Sequence, residues 1–492
     1  MKEIVVQEYS TFFKVPKIDG IYYSEFTRVL SIANYFTGDY EPYGYQITKN
    51  FYRCMKIPKG ILINALRECG LKANIVRQPD IPYADLSKPY NMKNEPIDDI
   101  QKNVIAEVVD TFKSGDTRAI VSLKTGKGKT YVATNIIHKL RVKALIMVKT
   151  VELRNQWLES FRKHTDIKNI WVIENTSELE ELITDNKFNP DVIVCTHKSM
   201  ALFIDKVGAK GFGYMLAKLG IGIKVYDEFD LENASMFNMD MLSSIRYNLY
   251  LSATDYKSSE DANYVFQKIF KGVHNVGKEY ASDTKRNAIF VLFNSYPTSK
   301  ESAKCMQYGP NGLTFSYAKY HMYAATKFGA GSILKSMWKN FIKPRYDDKL
   351  KTVFFIGRKT TAELFKAKLL EAIDNDVDAS EISILNSDTP EKDREGAMKK
   401  YLIISTSNSL GRGIDLTGLD TIVDFETRNS KSATAQVVGR VSRTGMKNVG
   451  TYIQLVDYGF PTVIRNYERK LKGNFFDEFF TDIKIKNNLN KK

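Results

Sequence analysis

The strongest chemical signal is the run Leu123-Lys124-Thr125-Gly126-Lys127-Gly128-Lys129-Thr130. A triphosphate needs close approach of the backbone, which Gly126 and Gly128 permit because they carry no Cβ. Backbone N–H groups of Thr125 through Gly128, followed by a helix N-terminus, would cradle the phosphates. Lys129 would reach the β/γ-phosphates and the Thr130 hydroxyl would bind Mg²⁺. The general phosphate-loop pattern begins on a glycine, where this chain has Leu123. A bare Gly-Lys-Thr also arises by chance, so its setting carries the weight. Here an apolar run, Arg118–Ser122, precedes it and a helical pattern, Tyr131–Leu140, follows it.

A second signal is Val225-Tyr226-Asp227-Glu228-Phe229-Asp230, which closes another apolar run. At a strand end beside the loop, Asp227 would hold Mg²⁺ and Glu228 would orient the attacking water. The bland rival is an acidic turn after a strand. The third signal is Gln436-Val437-Val438-Gly439-Arg440-Val441-Ser442-Arg443. On a helix, positions 436, 440 and 443 share one face. Arg440 and Arg443 could then deliver guanidiniums to a γ-phosphate, with Gln436 touching phosphate or water. A solvated basic face is the alternative. It leaves Gly439 unexplained, since a helical glycine costs about 1 kcal/mol relative to alanine.

These groups need rigid elements behind them. Short apolar runs at 119–123, 144–148, 192–195 and 221–226 alternate with helical patterns, as buried parallel strands do. A second alternating region offers strands at 352–356, 382–385, 402–405, 421–423 and 451–455. The expected architecture is α/β: two parallel-sheet domains, 93–275 and 276–492, after a small accessory domain, 1–92. Residues 78–96, polar and rich in proline, read as a linker. The aromatic stretch 315–346 reads as ordinary core, with a strand-separating wedge as the rival.

Composition narrows the partners. The net charge of +15 suits a polyanion, because lysines and arginines displace counterions from phosphate. The four cysteines, 54, 69, 195 and 305, are scattered, which argues against a zinc site or a disulfide framework. Neither a signal-peptide pattern nor a membrane-spanning apolar run is visible, so a cytoplasmic protein (host cytoplasm if phage-encoded) with no membrane partner is expected.

The motifs, in this order, resemble those of superfamily 2 helicases over roughly residues 50–470. The resemblance implies two tandem RecA-like domains with ATP between them, the second supplying Arg440 and Arg443 in trans. Gln101 matches the glutamine that reads adenine. Leu251-Ser252-Ala253-Thr254 matches the motif that couples hydrolysis to movement, through Ser252 and Thr254. Ile403–Thr406 followed by Gly413-Ile414-Asp415 resembles a motif that touches both nucleotide, through Gly413 and Asp415, and nucleic acid. Val148-Lys149-Thr150 with Leu153, Gln156 and Trp157, then Cys195–Ser199, and Phe354–Arg358 resemble strand-contacting motifs. Lys149, Thr150, Arg154, Thr196, Arg358 and Thr406 are the implied DNA contacts, mostly to phosphates.

The segments 51–53 and 57–62, the 436–443 motif, and Leu455-Val456-Asp457 with Arg465 are similar to phage UvsW-type branch-migration helicases and their XPB-like and poxviral relatives. Asp230 departs, standing where many of these have His. Asp there is a feature of RNA-dependent DEAD-box proteins, whose other hallmarks match poorly. The resemblance therefore implies an ATP- and Mg²⁺-dependent DNA helicase or translocase that remodels forks and Holliday junctions in replication and recombination, working as a monomer on branched or partly single-stranded DNA. An RNA helicase or transcript-release ATPase, and a non-catalytic scaffold, are the alternatives.

Overall fold

Strict alternation opens the chain. In strand β1 (Lys2–Glu8), Ile4, Val6 and Glu8 are buried while their neighbours face outward, as the two-residue period of a strand requires. With β2 (Phe12–Pro16), β5 (Tyr45–Ile47), β6 (Phe51–Met55) and β7 (Leu71–Arg77) it forms a sheet in the order β5-β6-β2-β1-β7. Two short strands, β3 (Ser31–Ala33) and β4 (Tyr40–Pro42), pair beside it. The helix Lys59–Glu68 makes the crossover that lets β7 run parallel to β1.

This computed structural model describes residues 1–492 apart from 22, 24–26, 34–39, 124–126, 186–188, 231–232, 253–259, 278–285, 310–311, 330–331, 375, 407–415, 417, 427–437, 439–448, 472–479, 481 and 488–492. Thr125, Gly126, Thr254, Gly413, Asp415, Gln436, Arg440 and Arg443 thus lie outside the described residues. The chain divides into two units, residues 1–281 and 282–492.

The parallel strands of the first unit are β8 (Arg118–Ser122), β9 (Lys143–Val148), β10 (Ile170–Val172), β11 (Val192–Thr196), β12 (Ile221–Asp227), β13 (Tyr247–Ser252) and β14 (His274–Val276), and the four apolar runs fall on β8, β9, β11 and β12. All run parallel, in the order β10-β11-β9-β12-β13-β8-β14. Every residue of β9, β11 and β12 is buried, because helices cover both faces. One face packs on the helices Asp99–Lys113, Lys129–Leu140 and Val151–His164. The other shares a continuous core with the N-terminal sheet, running from Phe13 and Leu62 to Tyr226, Tyr250 and Phe270.

Residues 78–96 correct the sequence reading. They are not a loose linker but a strap laid along the molecule, tied down residue by residue. The Ile81 amide donates to Ser244 O, Ala84 to Gly220 O, Leu86 to Arg141 O and Lys93 to His164 O. The Tyr90 hydroxyl donates to Thr134 O at 2.8 Å. Prolines keep the segment out of a ladder, yet backbone groups along it find fixed partners.

The second unit repeats the plan. Its strands are β15 (Arg286–Phe293), a hairpin β16 (Met306–Gly309) and β17 (Gly312–Phe315), then β18 (Lys351–Phe355), β19 (Ile382–Ile384), β20 (Leu402–Ser405), β21 (Leu419–Asp424), β22 (Gly450–Asp457) and β23 (Asp482–Asn487). The parallel sheet is ordered β19-β20-β18-β21-β22-β15-β23. Leaving out the hairpin, each strand holds the rank of its first-unit counterpart. The aromatic stretch is core, as expected: Tyr320, Leu334, Trp338 and Phe341 are buried. In both units the fold is a parallel α/β sheet of RecA-like plan, with an additional N-terminal sheet in the first.

Candidate nucleotide and nucleic-acid site

Most of the described residues singled out by sequence lie at the carboxyl ends of parallel strands, where open α/β sheets bind ligands. β8 ends at Ser122, just before the loop. Gly128 then caps the helix Lys129–Leu140 with φ 76°. That left-handed conformation favours glycine. A Cβ at Gly128 would also press on Nε2 at the end of the Gln101 side chain.

Gln101 is almost fully buried near the start of the helix Asp99–Lys113, whose cap Asp98 accepts from the Gln101 amide at 2.9 Å. Its side-chain amide ties two segments together: Nε2 donates to Lys127 O at 3.1 Å, and Oε1 accepts from the Ile97 amide at 3.2 Å. Beside it lies a cavity of about 730 Å³ lined by Pro96, Ile97, Lys102, Asn135 and His138 among others. Lys129 Nζ donates to Leu123 O at 3.1 Å, across the mouth of the loop.

Asp227 ends β12, two strands from β8 across β13. Its Oδ2 accepts from the Trp157 indole N–H at 2.8 Å, and its Oδ1 from the Glu228 amide at 3.0 Å. Burial pushes the Asp227 carboxyl above the usual carboxylate range; the Lys129 charge and these two hydrogen bonds pull it back, and nearby Asp230 opposes them. A buried carboxylate whose nearest compensation is a lysine lacks enough positive charge, which suits a cation. The donors fit Mg²⁺, a hard ion that takes one or two carboxylates and completes its shell with phosphate oxygens and water. Glu228 has φ 52°, a strained backbone for a non-glycine residue at the turn after the strand. Asp230, buried, accepts from the Ser252 hydroxyl at 2.6 Å, joining the acidic motif to the end of β13.

The remaining positions follow along the same edge. Lys149 and Thr150 come directly after β9, and the Thr150 hydroxyl caps the helix Val151–His164 by accepting from the Leu153 amide. Thr196 ends β11 and caps the helix His197–Leu219 in the same way, through Ser199. Arg154 is buried, with its guanidinium donating to Ile173 O at 2.7 Å, so a DNA contact there rests on the resemblance alone. In the second unit Arg358 follows β18 and Thr406 follows β20, again at carboxyl ends.

Two features escaped the sequence reading. The resemblance places Trp157 in a strand-contacting motif, yet its N–H holds the Asp227 carboxylate. Behind the acidic motif, Asp240 collects the Lys224 ammonium and the Tyr226 and Tyr250 hydroxyls, the latter two at 2.7 Å, all fully buried. The Asp240 carbonyl accepts from Thr11 Oγ1 at 2.7 Å, linking the N-terminal sheet to the strands that carry Asp227 and Ser252. The signal was present: a lysine inside the apolar run Ile221–Asp227 demands a buried acid.

Comparison with known proteins agrees with this geometry. Residues 95–229 match the family model "Type III restriction enzyme, res subunit", and residues 335–445 match "Helicase conserved C-terminal domain". The chain is 26% identical to putative helicase 161L of Invertebrate iridescent virus 6, over 76% of this chain and 79% of that one. It is 22% identical to transcript termination protein A18 of Yaba monkey tumor virus, over 72% and 71%. A 51-residue segment, 10% of this chain and 12% of the other, is 43% identical to the DNA 3'-5' translocase XPB2 of Sulfurisphaera tokodaii. The fold is similar to a fragment of a putative HsdR subunit of a type I restriction enzyme from Vibrio vulnificus YJ016, with TM-score 0.53 and 16% identity over 92% of this chain and 77% of that one. With a phosphate loop, an acidic strand end and tandem parallel sheets matched by two helicase-type models, this chain belongs to the superfamily 2 helicases, nucleic-acid-dependent ATPases.

Proposed function

We propose that this protein is a DNA helicase or translocase of the UvsW/XPB-like kind that remodels branched DNA. The observation that supports it most is the arrangement of the first sheet's carboxyl edge. The phosphate-loop helix, Ser252, Asp227, Lys149–Thr150 and Thr196 follow one another across the strands β8, β13, β12, β9 and β11. Groups suited to ATP thus adjoin groups suited to a nucleic-acid backbone, as a motor needs.

In this reading Lys129 and the loop amides of residues 125–128 bind the phosphates, and Gln101 and the cavity beside it take the base. Thr130 and Asp227 would hold Mg²⁺, which would supply positive charge against the phosphates. Trp157 fixes the Asp227 carboxylate and Glu228 orients the attacking water. Gln436, Arg440 and Arg443 engage the γ-phosphate, while Gly413 and Asp415 complete the nucleotide contacts. Ser252 and Thr254 relay the change to Lys149, Thr150, Thr196, Arg358 and Thr406 on the strand. The N-terminal sheet contributes branch recognition.

A second reading, transcript release, is favoured by the relatives named transcript termination proteins. One measurement separates the two: steady-state ATPase activity without nucleic acid and with single-stranded DNA, duplex DNA, a four-way junction and matched RNA. DNA stimulation, greatest for the junction, is the expected result. Stimulation by RNA alone overturns the DNA reading, and no hydrolysis under any condition overturns the motor itself.

A further inference from the structure

The N-terminal sheet carries a second, unassigned arrangement of charge. Lys14 on β2 and Arg53 on β6 are direct cross-strand partners. Neighbours in this relation lie about 5 Å apart at Cβ, and like charges so placed repel. Both side chains are half-buried. Lys14 Nζ sits 4.7 Å over the Phe51 ring and 5.4 Å from the Tyr9 ring centre, and the Arg53 guanidinium lies 5.4 Å from Phe51.

Among the described residues neither cation makes an ion pair, and Arg53 Nε is buried with no hydrogen-bond partner. Their strand neighbours on this face are the neutral Gln7 and Gln46. The nearby acid Glu8 points to the opposite face, where Lys56 and Lys59 hold it at 3.0 and 2.8 Å. Burial lowers the proton affinity of both cations, and Arg53 presses Lys14 down further. Elsewhere this chain meets the same cost differently: buried Lys224 receives the Asp240 carboxylate. A pair of cations, aligned on aromatic faces and without an anion among the described residues, is organised for one supplied from outside.

We propose that the face of the N-terminal sheet around Lys14 and Arg53 binds the phosphates of a DNA strand. The inference rests on the DNA reading above and gives it a location outside the two motor sheets. Tyr9 and Phe51 hold the cations in place, so contact is to the backbone and independent of base sequence.

The test uses the full chain, a labelled single-stranded oligonucleotide and a salt titration. K14Q/R53Q is expected to weaken binding about tenfold and to reduce the salt slope by roughly 1.4, the release expected for two single-strand phosphate contacts. Turnover at saturating DNA stays at the wild-type level, because the motor residues are untouched. The charge-conserving K14R/R53K retains both affinity and slope. K14Q/R53Q should melt no lower than wild type, since a repulsive pair is removed, which separates lost contact from lost fold. Unchanged affinity and slope in K14Q/R53Q overturn the inference while leaving the DNA motor intact. Failure of the wild-type protein to bind DNA overturns the functional reading on which the inference stands.

Discussion

The two parallel sheets place an acid at the same rank and treat it differently. β12 ends in Asp227 and its counterpart β21 ends in Asp424. Asp424 is fully buried and satisfied within its own unit, accepting from the Tyr452 hydroxyl at 2.7 Å and the Glu426 amide at 2.9 Å. Asp457, at the end of β22, likewise accepts from the Ser295 hydroxyl and the Gly459 amide. Asp227 instead has an indole, one amide and the field of Lys129. The plan offers a carboxylate at a strand end in both units, but only the first joins it to a glycine-lysine loop. Topology supplies the place; the residues around it decide whether the acid is structural or chemical.

The largest effect tests whether the second sheet is a bystander. Arg443→Ala is expected to cut turnover by about 10³–10⁵, the usual worth of an arginine finger, with ATP binding retained. Turnover close to wild type in single-turnover and steady-state assays would confine the chemistry to the first unit. Next comes the direct contrast. Asp227→Asn should reduce hydrolysis by at least about 10²-fold, as when a preorganised charge is removed from a transition state. Asp424→Asn should change kcat by less than about tenfold, under roughly 1.4 kcal/mol of barrier. Equal losses would erase the distinction. A stability signature goes with it. The Asp227 carboxyl holds its proton to higher pH when folded than when unfolded, so its contribution favours the fold at acid pH and fades as pH rises through the raised value. Asp227→Asn should therefore melt higher than wild type at neutral pH, with the gap closing on acidification.

Much of this was legible in the sequence because it depends on local rules. Lys129 with its flanking glycines, Asp227 at the end of an apolar run, and the nine apolar runs that became strands each declare themselves over a few residues. What was missed depends on distance in the chain. Residues 78–96 look like a linker because their composition lacks periodicity, while the partners that fix them, such as Gly220 and Ser244, lie far along the sequence. Trp157 reads as core until the fold brings its N–H to Asp227. Strands β10 and β14 have three residues each, too short for periodicity to mark. β15 lies in a region read as mixed, although it is an edge-side partner of both β22 and β23.

A smaller effect sharpens the account of Asp227. Trp157→Phe keeps an aromatic ring in the core and removes the indole N–H together with one ring. With one hydrogen bond to the charged form lost, the carboxyl should move further up, since such bonds hold a carboxylate ionised. The expected result is a fall in kcat of about tenfold, matching roughly 1.4 kcal/mol for a hydrogen bond to a charged group. The acid limb of the pH profile should shift to higher pH. A uniform fall across all pH values would mean that Trp157 acts by shape rather than through the Asp227 proton.

The smallest expected change in hydrolysis belongs to Ser252. Its hydroxyl donates to Asp230, so it links β13 to the acidic turn. The second sheet has no such serine at the same rank, because β22 ends on Asp457. Ser252→Ala removes one buried hydrogen bond, worth about 1–2 kcal/mol of stability. Basal ATP hydrolysis should stay within a few-fold of wild type. Stimulation by nucleic acid should drop more than the basal rate, since the lost bond joins the strand end to the turn carrying Glu228. Basal and stimulated rates measured side by side decide it. If they fall in equal proportion, Ser252 supports the fold alone, and the difference between the sheets reduces to the loop lysine and the carboxylate it faces.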